Sequence, residues 1–494
     1  MMRLRTFQRL SIIATLGLAS IAHAQNDTQN DARNDAPRGA QAPREKPAFP
    51  SLRFNDRSNG EKAVRNLGAA LPAVAAHYGK TPEEFRRQLL EDRSVWLDKE
   101  GRVFFVEAPL GAEITSGSDL APPGAVYPLD QTFFLHSRPS SKRKIYLDFN
   151  GHRTSGTSWN RSYGVDPIVS PAFDLDGIPS TFNSTELGVI QNVWRRVAED
   201  YAPFDVDVTT EEPPADQMTR LSSSDLTFGV RVVITKNFTA STPRGNCGCG
   251  GFAYLGVFDS TSESGKPAFV FYDNLGSREK AIAEAVSHEA GHTVGLSHDG
   301  TSTTGYYSGH GTGPTGWAPI MGVGYSRELV QFSKGEYYNA NNKEDDFAMM
   351  HGNGVSVAVD DFGNTFETAA TLAGTAQNGL NSFGVKGVVE SPADLDVFRF
   401  TSGIGTVSIS ATPFERSPNL DIVIRLHDAS GNVIASANPL DYLNGSIGFS
   451  VPTAGTYYLS IRGTGKGNPL STGYTAYGSI GRYAISVSAP LTAN

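Results

Sequence analysis

The sequence predicts an α+β domain, followed by an all-β sandwich and preceded by a small α+β segment. The first observation is a long helical pattern, residues 184–201, set among short apolar or alternating strand patterns. The second is a change after Gly352, where short strand patterns separated by Gly, Asn and Pro follow one another. We expect five segments, namely 1–24, 25–50, 51–139, 140–352 and 357–489.

The first segment, Met1 to Ala24, has arginines near its start, an apolar stretch and then Ala22-His23-Ala24. This arrangement is typical of a secretory signal peptide, so we expect an exported, extracellular protein. No later apolar run is long enough to span a bilayer. Residues 25–50 repeat Asn-Asp and are rich in Ala, Pro and Arg, which predicts a disordered linker.

Residues 51–139 predict a small folded segment. Thr81-Pro82-Glu83-Glu84 is a helix start that leads through Leu90. Val95–Leu97 and Val103–Val106 flank an Asp-Lys-Glu-Gly turn and predict a hairpin. Because the segment lies between a signal peptide and the next domain, we interpret it as a propeptide. It contains no cysteine, so any latency would come from occlusion or from a side chain other than a thiolate that faces the functional site.

The elements of the α+β domain follow in order from about Lys142. A helix should begin at Ser277 as N-cap, with Glu279 in its first turn, and should end at Gly295 in a left-handed conformation. The elements expected before it are strands at 145–149, 204–208, 230–235 and 268–272 and the helix at 184–201. A further helix is expected near residues 343–350.

The predicted helix carries the most specific motif of the chain. His288 and His292 are four residues apart and so share one helix face, and His298 follows after a glycine turn. Three imidazole nitrogens with one open position are the ligand set of a catalytic zinc ion. Glu289 adjoins the first ligand and is placed to act as a general base on a zinc-bound water.

These residues resemble the metzincin zinc proteases, and Asp299 directly after His298 is most similar to the reprolysin (adamalysin) branch. The stretch 317–321 resembles the methionine turn of that clan, with Met321 as a hydrophobic floor under the zinc. Tyr325 lies four residues after Met321, whereas the tyrosine of the astacin and serralysin branches lies two after. The resemblance implies a metzincin-type mixed sheet with a zinc-binding helix and, for Tyr325, a role as fifth ligand or oxyanion donor.

Residues 250–256 resemble the edge strand on which such enzymes bind an extended peptide by β-augmentation. The resemblance gives Gly251, Phe252, Ala253 and Tyr254 a substrate-binding role, and a simple hairpin is the alternative. The only cysteines, Cys247 and Cys249, predict a strained local disulfide, free thiols or, less favoured, a metal role. Residues 174–177 favour a solvated turn over a calcium loop, because the spaced ligands of an EF-hand are missing.

From Asp360 onward the short alternating strands predict a β-sandwich. The pieces at 360–365, 394–398 and 419–422 resemble the bacterial pre-peptidase C-terminal domain found behind secreted proteases. Asp394, Asp396 and Asp421 predict either a calcium site or capped strand ends. We expect this sandwich to fold alone and to contribute nothing to the zinc centre.

The composition limits the classes of partner. The chain has 494 residues, 39% of them hydrophobic, which suffices for two or three globular domains. A formal net charge of −9 disfavours nucleic acid and anionic membranes as partners. The resulting hypothesis is a secreted zinc endopeptidase that acts on protein or peptide substrates, with the oligomeric state left open. The alternatives are an adhesion protein that works through its sandwich and a zinc amidase acting on cell-wall or glycoprotein substrates.

Overall fold

A computed structural model of the protein describes residues 46–109, 124–236 and 248–492. The predicted signal peptide, residues 25–45 of the predicted linker, and Cys247 lie outside the described residues. Among the described residues, no helix is long and apolar enough to cross a membrane.

The N-terminal segment, residues 46–109, contains three helices and a hairpin. Its helix α3 begins where the sequence predicts, because Thr81 and Glu84 form a capping box in which each side chain bonds to the other's backbone N–H. The predicted hairpin is also confirmed, with Val95 opposite Phe105. The elements are β1 (Ser58–Asn59), α1 (Gly60–Leu67), α2 (Leu71–His77), α3 (Pro82–Glu91), β2 (Val95–Leu97) and β3 (Val103–Val106).

The middle region, residues 124–356, holds most of the predicted α+β elements close to their expected places. Its long helix, α5, starts with another capping box at Asn183 and Glu186 and is almost entirely buried. The elements are β4 (Arg143–Asp148), β5 (His152–Thr154), α4 (Ser158–Tyr163), β6 (Ile168–Ser170), α5 (Ser184–Asp200), β7 (Asp207–Thr209), α6 (Ala215–Met218), β8 (Phe228–Thr235), β9 (Gly251–Tyr254), β10 (Ala268–Phe271), α7 (Glu279–Thr293), β11 (Trp317–Pro319), β12 (Leu329–Gln331) and α8 (Asp346–Gly352).

One mixed sheet joins the N-terminal segment to the middle region. Its strand order is β1-β2-β3-β9-β10-β8-β4-β7. Strands β4, β7, β8 and β10 are parallel, whereas β9 runs antiparallel to β10. On its other side β9 pairs antiparallel with β3, with Phe105 opposite Ala253. The strand that the sequence assigns to substrate binding is therefore an interior strand of this sheet.

Helix α7 carries the histidine motif and differs from the prediction at its start. Ser277 is not the N-cap: its φ is 54°, and the helix begins at Glu279 after Arg278, which makes no side-chain cap. Ser277, with its left-handed backbone, belongs instead to the turn that precedes the helix. The predicted end is confirmed, since α7 stops at Thr293 and Gly295 has a φ of 99°. Every residue of α7 is buried.

The C-terminal region consists of two five-stranded sheets, as a β-sandwich requires. Their orders are β13-β16-β21-β18-β19 and β14-β15-β22-β17-β20. The strands are β13 (Ala370–Thr371), β14 (Gly374–Gln377), β15 (Leu380–Val389), β16 (Asp396–Ser402), β17 (Gly405–Pro413), β18 (Ile422–His427), β19 (Val433–Ala437), β20 (Gly445–Val451), β21 (Gly455–Gly463) and β22 (Gly481–Pro490).

The sandwich packs on the helices of the middle region, and the expectation that it is independent of the rest is not supported. Arg416 forms an ion pair of 2.5 Å with Glu279, the first residue of α7. Asn419 donates a hydrogen bond of 3.0 Å to Asp200 of α5. The hydrophobic core continues from the middle region into the sandwich.

Candidate metal centre

The three predicted ligands converge at the end of α7. The Nε2 atoms of His292 and His298 lie 3.1 Å apart. Nε2 of His288 is buried and has no hydrogen-bond partner among the described residues. Nδ1 of His288 lies 2.9 Å from the carbonyl oxygen of Ile320, and Nδ1 of His292 lies 2.7 Å from that of Leu296. Because a carbonyl only accepts, both Nδ1 atoms carry the proton and both Nε2 lone pairs face the centre.

This donor set fits a zinc ion. Tetrahedral zinc with nitrogen bonds of about 2.0–2.1 Å places its ligand nitrogens about 3.3 Å apart. The separation of 3.1 Å between His292 and His298 agrees with that value. Burial lowers the pKa of His292 to about 4, so its imidazole is neutral, as a ligand must be. Nε2 of His288, which has no hydrogen-bond partner among the described residues, is the third nitrogen donor of the set.

His298 is held by carboxylates on both ring nitrogens. Asp92 Oδ2 lies 2.7 Å from Nδ1, and Glu107 Oε1 lies 3.0 Å from Nε2. Burial lowers the pKa of His298, but Glu107 and Asp92 raise it more strongly, to about 10. The two carboxylates thus favour a positive charge on or beside the His298 ring. A cation bound at Nε2 would supply this charge in place of the Nε2 proton. Asp92 has the place of an outer carboxylate that orients a ligating imidazole.

Glu289 lies fully buried beside the ligands. Neither of its carboxylate oxygens has a hydrogen-bond partner among the described residues. Burial raises the pKa of Glu289, and the neighbouring charge of Glu107 raises it further. Gly251 packs against this carboxylate so closely that a Cβ there would overlap Glu289 Oε1 and lie 2.7 Å from the Phe269 carbonyl oxygen. The Glu289 carboxylate therefore lies directly against β9.

Met321 lies beneath α7, where the sequence predicts a hydrophobic floor. It is fully buried, and a Cβ at Gly291 would lie 2.6 Å from its sulfur. Asp299 donates its backbone N–H to the Met321 carbonyl oxygen over 2.8 Å. The residue before the methionine, Ile320, supplies the carbonyl that holds His288. Met321 therefore packs directly against α7 at Gly291, and the neighbouring Ile320 carbonyl orients the imidazole of His288.

Sequence reasoning did not find Glu107 or Tyr306. The Glu107 carboxylate faces all three histidines, with Oε1 3.3 Å from His292 Nε2 and Oε2 3.5 Å from His288 Nε2. Burial acts to raise the pKa of Glu107, but His298 and His288 lower it well below the ordinary value. Tyr306 donates its hydroxyl to Glu107 Oε2 over 2.6 Å. The one sequence signal was a carboxylate directly after the β3 strand pattern.

The predicted substrate-binding residues divide between β9 and a small cavity. Gly251, Phe252, Ala253 and Tyr254 are all buried in β9, where β3 and β10 flank them. Tyr325 lines a cavity of about 140 Å³ together with Glu107, His288, Glu289 and Tyr306. Burial raises the pKa of Tyr325 far above its ordinary range. The substrate-binding roles stay predictions.

The other candidate sites contain carboxylates or cysteine. Asp174 accepts backbone N–H groups from Gly177 and Ile178, which agrees with the predicted turn. Asp421 accepts the Tyr474 hydroxyl over 2.7 Å and does not join the two other predicted aspartates. Those two lie instead in neighbouring acidic groups, made up of Asp360, Asp361, Glu390, Asp394 and Asp396. Calcium binding stays a prediction. Cys249 is disulfide-bonded.

Comparison with known proteins supports the metal centre. Residues 207–333 match the family model Reprolysin_5, described as metallo-peptidase family M12, and this match confirms the reprolysin resemblance. This match supports a zinc peptidase in general terms. No curated protein matches the chain.

Several solved structures resemble part of the chain, among them the following two. The pre-peptidase C-terminal domain of collagenase from Bacillus anthracis is 20% identical, with a TM-score of 0.17, over 25% of this chain and 99% of that one. The periplasmic g-type lysozyme inhibitor PliG of Aeromonas hydrophila is 14% identical, with a TM-score of 0.18, over 24% of this chain and 96% of that one.

The contact between Gly251 and Glu289 gives a testable prediction. Gly251→Ala places a methyl group on the buried carboxylate, so Glu289 or β9 must move. We expect any peptidase activity of the processed protein to fall at least about 100-fold, the size of effect that misplacing a reacting group has. Gly352→Ala is the matched control, because a Cβ there meets no atom within 4 Å. Activity within two-fold of wild type in the Gly251 variant would contradict the assigned geometry.

Proposed function

We propose that the protein is a secreted zinc endopeptidase that hydrolyses peptide bonds with Glu289 as general base and acid. The observation that carries the proposal is the convergence of three imidazole Nε2 atoms beside a buried carboxylate that has no hydrogen-bond partner among the described residues. The match to metallo-peptidase family M12 over residues 207–333 supports it. Secretion rests on the N-terminal sequence pattern alone.

Each side chain of the site then has a definite task. When bound by His288, His292 and His298, zinc polarises a peptide carbonyl and lowers the pKa of water. Glu289 takes the proton from the attacking water and delivers it to the leaving nitrogen, so that the peptide C–N bond breaks and a carboxylate and an amine result. The Ile320 and Leu296 carbonyls keep two imidazoles in the ligating tautomer.

An adhesion protein is the less favoured reading of the same chain. An adhesion role would need the sandwich alone, and a structural metal would need the histidines alone. Gly251 and the buried carboxylate of Glu289 serve neither purpose. The cavity of about 140 Å³ beside His288 and Glu289 leaves room for a side chain of a bound peptide.

The ligand assignment is tested by His298→Ala. We expect the variant to lose zinc at least about ten-fold faster to a chelator and to lose its activity, because one of three nitrogen ligands is gone. His351→Ala is a suitable control, since His351 lies in α8 and belongs to none of the candidate metal groups of the described residues. Unchanged zinc retention after His298→Ala would contradict the assignment.

The sequence predicts that residues 51–139 form a propeptide, and contacts of residues 126–132 favour a cleavage point within this segment. Backbone N–H groups of Val126 and Tyr127 both donate to Gln191 Oε1 of α5 over 2.9 Å, and Thr132 is fully buried. We therefore expect the mature protein to lack Glu107 but to retain Val126. N-terminal sequencing of the active secreted form tests this, and an active form that still begins at Gln25 would contradict processing altogether.

A further inference from the structure

The edge of β9 that faces away from β10 is already paired with a strand of the same chain. Beyond the register of Phe105 with Ala253, three backbone bonds extend the pairing to both ends of the strand. Leu255 donates to the Val103 carbonyl oxygen over 3.1 Å, Glu107 donates to that of Gly251 over 2.9 Å, and Gly250 donates to that of Glu107 over 3.0 Å. An extended peptide added to this edge would need the same N–H and C=O groups.

The pairing places Glu107 over the three histidines. Strand β3 ends at Val106, and the next side chain reaches the centre with Oε1 3.0 Å from His298 Nε2 and 3.3 Å from His292 Nε2. The second oxygen accepts the Tyr306 hydroxyl over 2.6 Å. Glu107 has only 8% of its surface exposed. Its carboxylate lies where the open fourth position of a three-histidine zinc site would be.

Two other residues of the N-terminal segment contact the histidines. Phe105 stacks on the His292 ring with centroids 3.9 Å apart and planes 3° apart. Asp92 holds His298 Nδ1 at 2.7 Å. The segment has its own small core, into which Leu255, directly after β9, also packs. Lys80 anchors it further by an ion pair of 3.0 Å with Glu344.

We propose that Glu107 is the fourth ligand of the metal in the unprocessed chain and that β3 occupies the peptide-binding edge, so that the N-terminal segment keeps the peptidase latent. The proposal rests on the peptidase function proposed above. A carboxylate here takes the place of water and excludes the carbonyl oxygen of a substrate from the metal. Because the ligand is tethered and its strand is paired, its effective concentration is on the order of millimolar or higher.

The test uses the full secreted chain, residues 25–494, in a Glu289→Gln background that prevents self-cleavage. Cobalt is exchanged for zinc, and the visible absorption spectrum and the rate of metal loss to a chromophoric chelator are measured. The variants are Glu107→Ala and Glu107→Gln, the second of which keeps the side-chain size in case the first fails to fold. Glu83→Gln is the matched control, since Glu83 is an exposed glutamate of the same segment.

We expect both Glu107 variants to show an altered cobalt spectrum and metal loss faster by on the order of ten-fold or more, with Glu83→Gln unchanged. With Glu289 restored, the chain freed of its N-terminal segment should cleave a short soluble peptide that the uncleaved wild type leaves intact, whereas uncleaved Glu107→Ala should stay inactive because β3 still pairs with β9. An altered spectrum in the Glu107 variants together with no cleavage by the freed chain would uphold Glu107 as ligand and overturn the peptidase function. A spectrum and metal-loss rate identical to those of the parent chain would overturn the latency proposal, whatever the activity.

Discussion

Glu289→Gln should retain zinc and lose nearly all proteolysis. The ligands are untouched by this change, whereas the amide cannot take up the proton of the attacking water. Removal of a general base typically costs 10²–10⁴-fold in rate, so we expect a fall of about 1,000-fold or more. Glutamine is nearly isosteric, which matters because Gly251 packs directly on the carboxylate. The measurement is casein or short-peptide hydrolysis by protein freed of its N-terminal segment, together with zinc analysis.

The control for this variant is Glu284→Gln on the same helix. Glu284 is also buried, but it pairs with Lys280 one turn away and does not belong to the metal group. The control should keep its activity within a few-fold. Turnover like that of wild type in Glu289→Gln would show that Glu289 is not the base and would remove the mechanism proposed here.

Removal of the sandwich should cost the middle region its stable fold. A chain that ends at Gly354 leaves Glu199, which is fully buried, without the Arg482 backbone N–H that it accepts at 2.9 Å. It also leaves Asp200 without Asn419 and Glu279 without Arg416. Leaving a buried polar group without its hydrogen-bond partner costs about 1–3 kcal/mol for each group. Apolar surface shared between the two parts would be exposed in addition.

We therefore expect the truncated chain to be insoluble or to melt at least about 10 °C below the full chain, by the usual relation between free energy and Tm. A milder version is Arg416→Gln, with the sandwich residue Arg425→Gln as control. Differential scanning calorimetry measures the melting temperature of the truncated chain and of both single variants. A chain ending at Gly354 that melts within about 2 °C of the full protein and keeps its zinc would restore the view that the sandwich folds independently.

Local patterns explain why the convergence of the three histidines was predictable. His288, His292 and His298 lie within eleven residues, and helical geometry alone brings the first two together. The glycine turn then determines where the third arrives, and Gly295 takes the left-handed conformation that the pattern requires. The capping box at Thr81 and Glu84 was predictable for the same reason, since it needs only four consecutive residues.

Long-range pairing explains what the sequence did not predict. Glu107 is 181 residues before His288, and no local pattern distinguishes it from other glutamates; it reaches the histidines only because β3 adds to β9. The Asp92 contact with His298 has the same origin. The sandwich was predicted from its own alternating strands, but alternation does not tell which outer surfaces another domain will cover. The contacts of Asn419 with α5 and of Arg416 with α7 therefore have no signal in the sequence.

The most direct test of the central claim is metal analysis combined with hydrolysis on the processed protein. We predict about one zinc ion per chain, loss of casein cleavage when a chelator removes it, and recovery when zinc is restored. His298→Ala and Glu289→Gln should separate the two requirements, the first losing metal and the second losing only turnover. Peptide hydrolysis that persists unchanged in protein shown to contain no metal would contradict the account.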